Sequence, residues 1–209
     1  MSIKDNIEAL EKEIPNGVKL LAVSKTKPLS DLEEAYEAGI REFGENKVQE
    51  LVAKEEEFHK DVKWHFIGGL QTNKVKYLVG KVCLIHSLSS IKLLKQIEKE
   101  FGKKNEIANV LIEINIGREE SKGGILEEEL EDMLSEIEKC SFVRVKGIMV
   151  IIPKGDSDSN RAYFKRTKEI FESLKNREFK NIKIEILSMG KIGRAHVRTP
   201  VTLGDLVCR

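Results

Sequence analysis

Short apolar, β-branched runs recur along this chain from residue 18 to about residue 190, each followed by a longer stretch with helical spacing. That alternation calls for a parallel sheet with covering helices. The runs are Val18 to Val23, Glu42 to Gly44, Trp64 to Ile67, Val82 to His86, Asn109 to Ile116, Val143 to Ile152 and Ile182 to Leu187, seven in all. Most are continuously apolar rather than alternating, which implies burial on both faces. No GxGxxG-type loop interrupts the series, so a (β/α) barrel is favoured over a doubly wound sheet, and an eighth strand is expected after another helix.

Helix signals fit between the runs. Ser30 with Glu33 three positions on predicts a capped start, Ser89 or Ser90 predicts another ahead of Phe101, and Leu130, Met133, Leu134 and Ile137 form one apolar face. Helices are also expected over residues 47–58, 72–79 and 163–174, with a polar turn from Pro153 to Asn160. The Ile3, Ile7, Leu10 and Ile14 stripe favours packing of an N-terminal helix.

The 209 residues suit one barrel-sized domain. Thirty-six basic and 35 acidic residues give a formal charge of +1, so no net field draws nucleic acid or an anionic membrane. An anionic ligand must therefore be held by a local site. The N-terminus lacks the apolar core of a signal peptide and no run is long enough to span a bilayer, so a cytoplasmic protein is expected; a monomer is expected too, though no residue pattern fixes the oligomeric state. Cys83, Cys140 and Cys208 share no metal-ligand spacing, which predicts neither a disulfide framework nor a metal site.

In a barrel, chemistry sits where strands end. Lys25 directly follows the first run, where a partly desolvated amine can form a Schiff base with an aldehyde; a surface loop lysine is the plainer alternative. Asn46 follows the second run, either as a hydrogen-bonding group at the same rim or as a helix cap. Ser188, Met189 and Gly190 end the seventh, where barrels commonly hold phosphate. His65 has no partnering ligand motif and is expected to be structural.

The segments AVSKTKP (22–28), FGENKVQE (43–50), WHFIGGLQTNK (64–74), NVLIEINIGREESKGG (109–124), KGIMVI (146–151) and LSMG (187–190) closely resemble the pyridoxal phosphate homeostasis family of the YggS or PROSC type. The resemblance implies a barrel like the N-terminal domain of alanine racemase, with pyridoxal 5′-phosphate (PLP) on Lys25, Asn46 near the cofactor, and Ser188 with Met189 and Gly190 at the phosphate. It implies a PLP carrier, with apo forms of PLP-dependent enzymes as recipients, rather than an enzyme. Racemisation needs an acid and a base on opposite faces of the substrate carbon, and no second domain is evident to supply a tyrosine. A racemase-like or decarboxylase fragment of fold type III, and a phosphate-ester barrel enzyme without PLP, are the competing readings.

The resemblance stops after Gly190. Family members continue with a second serine, a helix and a strand ending in Arg-Ile-Gly, whereas this chain reads Lys191-Ile192-Gly193-Arg194-Ala195-His196-Val197-Arg198. Arg194 follows Ile-Gly instead of preceding it, so it does not take the role of the phosphate-binding arginine. The stretch resembles a translated short-read sequencing adapter. Residues 1–190 are therefore expected to form a PLP-binding barrel lacking its final elements, and residues 191–209 a non-native, disordered tail. Open edges on the first and seventh strands and weakened PLP retention are the expected consequences.

Overall fold

The computed structural model describes residues 2–15, 17–153, 155–191 and 204–208. Eight strands run in the order β7-β6-β5-β4-β3-β2-β1-β8, and every pairing is parallel. They are β1 Val18–Val23, β2 Glu42–Glu45, β3 Lys63–Phe66, β4 Leu84–Leu88, β5 Ala108–Ile114, β6 Val143–Ile152, β7 Ile182–Lys191 and β8 Gly204–Cys208. Helices α1 Ile3–Glu13, α2 Leu29–Glu37, α3 Val48–Glu57, α4 Ile91–Gly102, α5 Leu130–Ile137 and α6 Ser157–Lys175 complete the order. The result is an incomplete (β/α) barrel. Among the described residues no helix lies between β7 and β8, and no ladder joins them, although β8 stands beside β7.

Two side-chain clusters define the two faces of the curled sheet. Ile85, Val110, Ile112, Ile148, Val150 and Leu187 belong to a large cluster shared with the helices. Leu84, Leu111 and Met149 form a small cluster inside the curl, with Cys83, Ile151 and Ile186 against it. Successive strand residues point to opposite faces. Both faces are dry, which is why these strands read as continuous apolar runs.

Several expectations need correction. Residues 204–208 pair with β1 in register from Val18↔Gly204 to Ala22↔Cys208, so the edge of β1 is covered and this part of the tail is a strand. Parallel pairing satisfies backbone groups that an edge would leave open, whatever the side chains. Lys191 is the last residue of β7, and residues 192–203 and 209, Arg194 included, lie outside the described residues. Ser30 does not cap α2; the cap is Pro28, at φ −69°, and the helix starts at Leu29, two residues before a Ser30 cap would place it. Residues Thr72–Tyr77 form a 3-10 rather than an α-helix. α6 begins at Ser157, with Asp156 accepting from Ser159 N–H at 2.8 Å, so part of the expected turn is helical. Ser90 does cap α4, accepting from Leu93 N–H. In α1, Ile7 is buried but Leu10 stays exposed.

Candidate functional site at the carboxyl ends of the strands

Alternation along the strands decides which side chains face the interior. Leu20 and Ala22 pack toward the helices, and Ser24 continues that outward series by bonding to Glu45 and Lys54, so Lys25 falls in the inward one. Glu45 likewise turns outward, which carries Asn46 inward. On β7, Leu187 and Met189 pack with the helices, leaving Ser188 and Gly190 in the inward series. Lys25 and Asn46 thus lie just past the carboxyl ends of β1 and β2, and Ser188 and Gly190 lie in the inward series near the carboxyl end of β7. The Met189 side chain does not face that interior; only its backbone can serve a ligand there.

The backbone under Lys25 is held by a buried network that sequence reasoning missed. Lys54, on α3, donates to Ser24 O at 2.8 Å, to Glu45 Oε1 at 2.7 Å and to Glu50 Oε1 at 2.9 Å. Ser24 Oγ donates to Glu45 Oε1 at 2.6 Å, and Thr26 N–H donates to Glu50 Oε1 at 2.6 Å. Lys27 N–H closes the turn onto Ser24 O at 3.0 Å. Thr26 is left at φ 62°, unusual for a β-branched residue, a strain that the Glu50 contact helps to hold. Lys25 itself is half-buried.

Asn46 is half-buried and is fixed by the loop after β3. A Cβ on Gly68 would lie 2.2 Å from Asn46 O and 2.7 Å from its Cα, so only glycine lets the two backbones meet there. Gly68→Ala is expected to cost about 1–3 kcal/mol in urea unfolding and to displace Asn46, because the obstructing atoms are backbone and cannot rotate away.

The interior at this level also holds Glu113, Met149 and Ser188, which are opposite one another in the β5-β6-β7 ladders. Burial alone lifts the Glu113 carboxyl to about 7. Ser188 is fully buried, with its Oγ 3.1 Å from His86 Nδ1. His86 Nε2 lies in turn 2.9 Å from His65 Nδ1, so His65 is engaged by another histidine rather than isolated. Glu113 and both histidines lie within the apolar runs of the sequence, and their inward parity on those strands was the signal available. Among the described residues no group of three His, Cys, Asp or Glu side chains is placed to hold a metal ion. No helix among them is long and apolar enough to cross a membrane.

The alanine racemase N-terminal domain family model matches residues 1–193. A pyridoxal phosphate homeostasis protein of Aquifex aeolicus is 44% identical over 177 residues, covering 84% of this chain and 77% of the relative. The chain belongs to the pyridoxal phosphate homeostasis protein family. Another family member, from Haemophilus influenzae, is 37% identical over 204 residues, covering 91% of this chain and 86% of its own. PipY of Synechococcus elongatus, a structure without PLP, superposes with a TM-score of 0.84 at 31% identity, covering 90% of this chain and 89% of PipY. The PipY structure with PLP bound gives 0.84 at 27% identity over 99% and 97%. Alanine racemase from Bacillus anthracis shares the fold at 14% identity and a TM-score of 0.78, this chain spanning 53% of it. Family membership thus rests on sequence, and the likeness to the solved Bacillus anthracis racemase on fold alone.

Proposed function

We propose that this chain binds pyridoxal 5′-phosphate as a Schiff base on Lys25 and serves PLP homeostasis as a carrier within the cell rather than as an enzyme. The observation that supports the reading is the position of Lys25, Asn46, Ser188 and Gly190 at the carboxyl ends of β1, β2 and β7, in a family whose member PipY has been solved with PLP bound. Lys25 supplies the amine: the C=N bond forms at the aldehyde carbon, the C=O bond breaks, and water leaves. Asn46 offers an amide to a ring oxygen. Ser188, with the backbone of Met189 and Gly190, faces the phosphate. When bound, PLP supplies an aldehyde and an electron-withdrawing ring; the protein supplies attachment, orientation and a dry wall.

Borohydride reduction of PLP-loaded protein followed by peptide mapping tests the attachment. A pyridoxyl adduct on Lys25, with visible absorbance lost in Lys25→Ala, is expected. An adduct elsewhere, or none, overturns the reading. Residues 191–209 are read as a non-native tail, so the same chain carrying a family-type carboxyl end is expected to hold PLP more tightly in a titration; equal affinity would count against that view of the tail.

One observation favours a racemase-like enzyme as a second reading. Glu113, with its carboxyl near 7, can give or take a proton at neutral pH. That reading requires alanine racemisation above the rate with free PLP, and a carrier requires none.

A further inference from the structure

Four side chains form a file through the barrel interior. Glu42 Oε2 lies 3.5 Å from His65 Nε2, His65 Nδ1 is 2.9 Å from His86 Nε2, and His86 Nδ1 is 3.1 Å from Ser188 Oγ. His65 is 3% exposed, and His86 and Ser188 are 0% exposed. At this burial each hydrogen-bonded ring nitrogen must match the role of its neighbour.

Glu42 fixes the sense of the file. Its carboxyl is held down at about 2, the His65 imidazole being the largest cause, so it is ionised and repels a bare Nε2. Two proton arrangements then fit the two hydrogen bonds, His65 Nε2 meeting Glu42 only as a 3.5 Å ion-pair contact and making no hydrogen bond. With both rings neutral, His65 keeps its proton on Nε2, its Nδ1 accepts from His86 Nε2–H, and His86 Nδ1 accepts from the Ser188 hydroxyl. Ser188 then offers only lone pairs to a ligand. With one more proton, His65 is protonated on both nitrogens, His86 Nε2 accepts, His86 Nδ1–H donates to Ser188 Oγ, and the serine O–H is released to donate to an anion.

We propose that this file is a proton-linked orienting device, in which uptake of one proton turns Ser188 from acceptor to donor and so couples phosphate-ester binding to protonation of His65. It rests on the reading that Ser188 belongs to the phosphate side of the PLP site. His65 and His86 are positioning residues, since they act through Ser188. The proton is supplied by a phosphate monoester monoanion. Its O–H proton passes to Ser188 Oγ as the serine proton moves to His86 Nδ1 and the His86 Nε2 proton moves to His65 Nδ1. The ester becomes a dianion, an imidazolium forms beside Glu42, and total charge is unchanged.

The surrounding charges locate the added proton. His86 is held well below the usual imidazole range, first by burial and then by His65, while His65 is the ring whose Nε2 lies 3.5 Å from the Glu42 carboxyl. Glu42 on β2 stabilises a charge on that ring. Opposing it are Lys19 on β1 and Lys63 on β3, 3.3 and 3.9 Å from Glu42 Oε1. Glu113 on β5 is a further carboxyl on the inward face, at the level of Met149 and Ser188. A cleft of about 420 Å³ lined by Lys19, Arg41 and Glu42 opens the Glu42 end to solvent, at the opposite end of the strands from Lys25.

Calorimetric titration with pyridoxine 5′-phosphate tests the coupling, because this ester lacks an aldehyde and Lys25 chemistry releases no proton. At about pH 8 the free ester is a dianion, so buffers of differing ionisation enthalpy should report uptake of about one proton by the unmodified chain. Glu42→Gln, at the solvent-facing end, and His65→Gln should lower uptake toward zero and weaken binding about tenfold. Ester binding without proton uptake, or undiminished uptake in both variants, overturns the device and leaves the PLP reading standing. No ester binding by the unmodified chain overturns both.

Discussion

Replacing Lys54 with methionine should lower folding stability by about 3–5 kcal/mol, the usual cost of stripping one partner from a buried ion pair. Lys54 and Glu45 are 7% and 0% exposed, and the ammonium is the hub for Ser24 O, Glu45 and Glu50. Methionine fills the space but leaves the Glu45 carboxylate uncompensated in a dry place. That carboxyl already titrates above the usual range because of burial, and loss of Lys54 raises it further. A raised carboxyl contributes stability below its unfolded value and loses it as pH rises, so the variant should be least stable at alkaline pH. Chemical denaturation at several pH values measures this. Adding Glu45→Gln to Lys54→Met should recover part of the loss, since no unpaired charge remains. A Lys54→Met protein as stable as the parent across pH would show that the network braces nothing. Because the same atoms hold Ser24 and Thr26, PLP trapping at Lys25 should fall in Lys54→Met even where the protein is folded.

Glu113→Gln is expected to flatten the pH dependence of stability. The Glu113 carboxyl is raised from 4.5 to about 7 by desolvation and is 9% exposed. The folded state therefore binds its proton more tightly than the unfolded chain. The resulting stability is complete below about 4.5 and is lost as pH rises through about 7, a span worth at most about 3 kcal/mol. Glutamine mimics the protonated acid and cannot ionise, so the variant should match the parent near pH 4.5 and exceed it near pH 8 by about that amount. Thermal or urea unfolding of both proteins across this window checks the prediction. Parallel curves would show that the carboxylate is not penalised in the folded state. Such a carboxyl is left in place at a cost, which accords with its position level with Ser188.

Much of the barrel is legible in the order of residues, because strand and helix periods are local properties of consecutive positions. Val18 to Val23, Asn109 to Ile116 and Val143 to Ile152 announce strands by their β-branched runs, and Lys25 announces itself by following the first of them. Ser90 is a legible cap for the same reason. Ser30 misleads because Pro28 sets the helix start ahead of the serine. The covered edge of β1 is invisible in the sequence as well: backbone pairing by residues 204–208 needs strand geometry, and no side-chain pattern foretells it.

The local order of residues determined the strands, most helices, the barrel class and the rim position of Lys25, since neighbours in the chain are enough to set period and parity. Tertiary structure alone decided that His86 meets Ser188, 102 positions away, and that Lys54 reaches Ser24 from a neighbouring helix. Those contacts follow from how the sheet curls and staggers, and the same curl removes the water that would otherwise keep Glu113 at an ordinary carboxylate value.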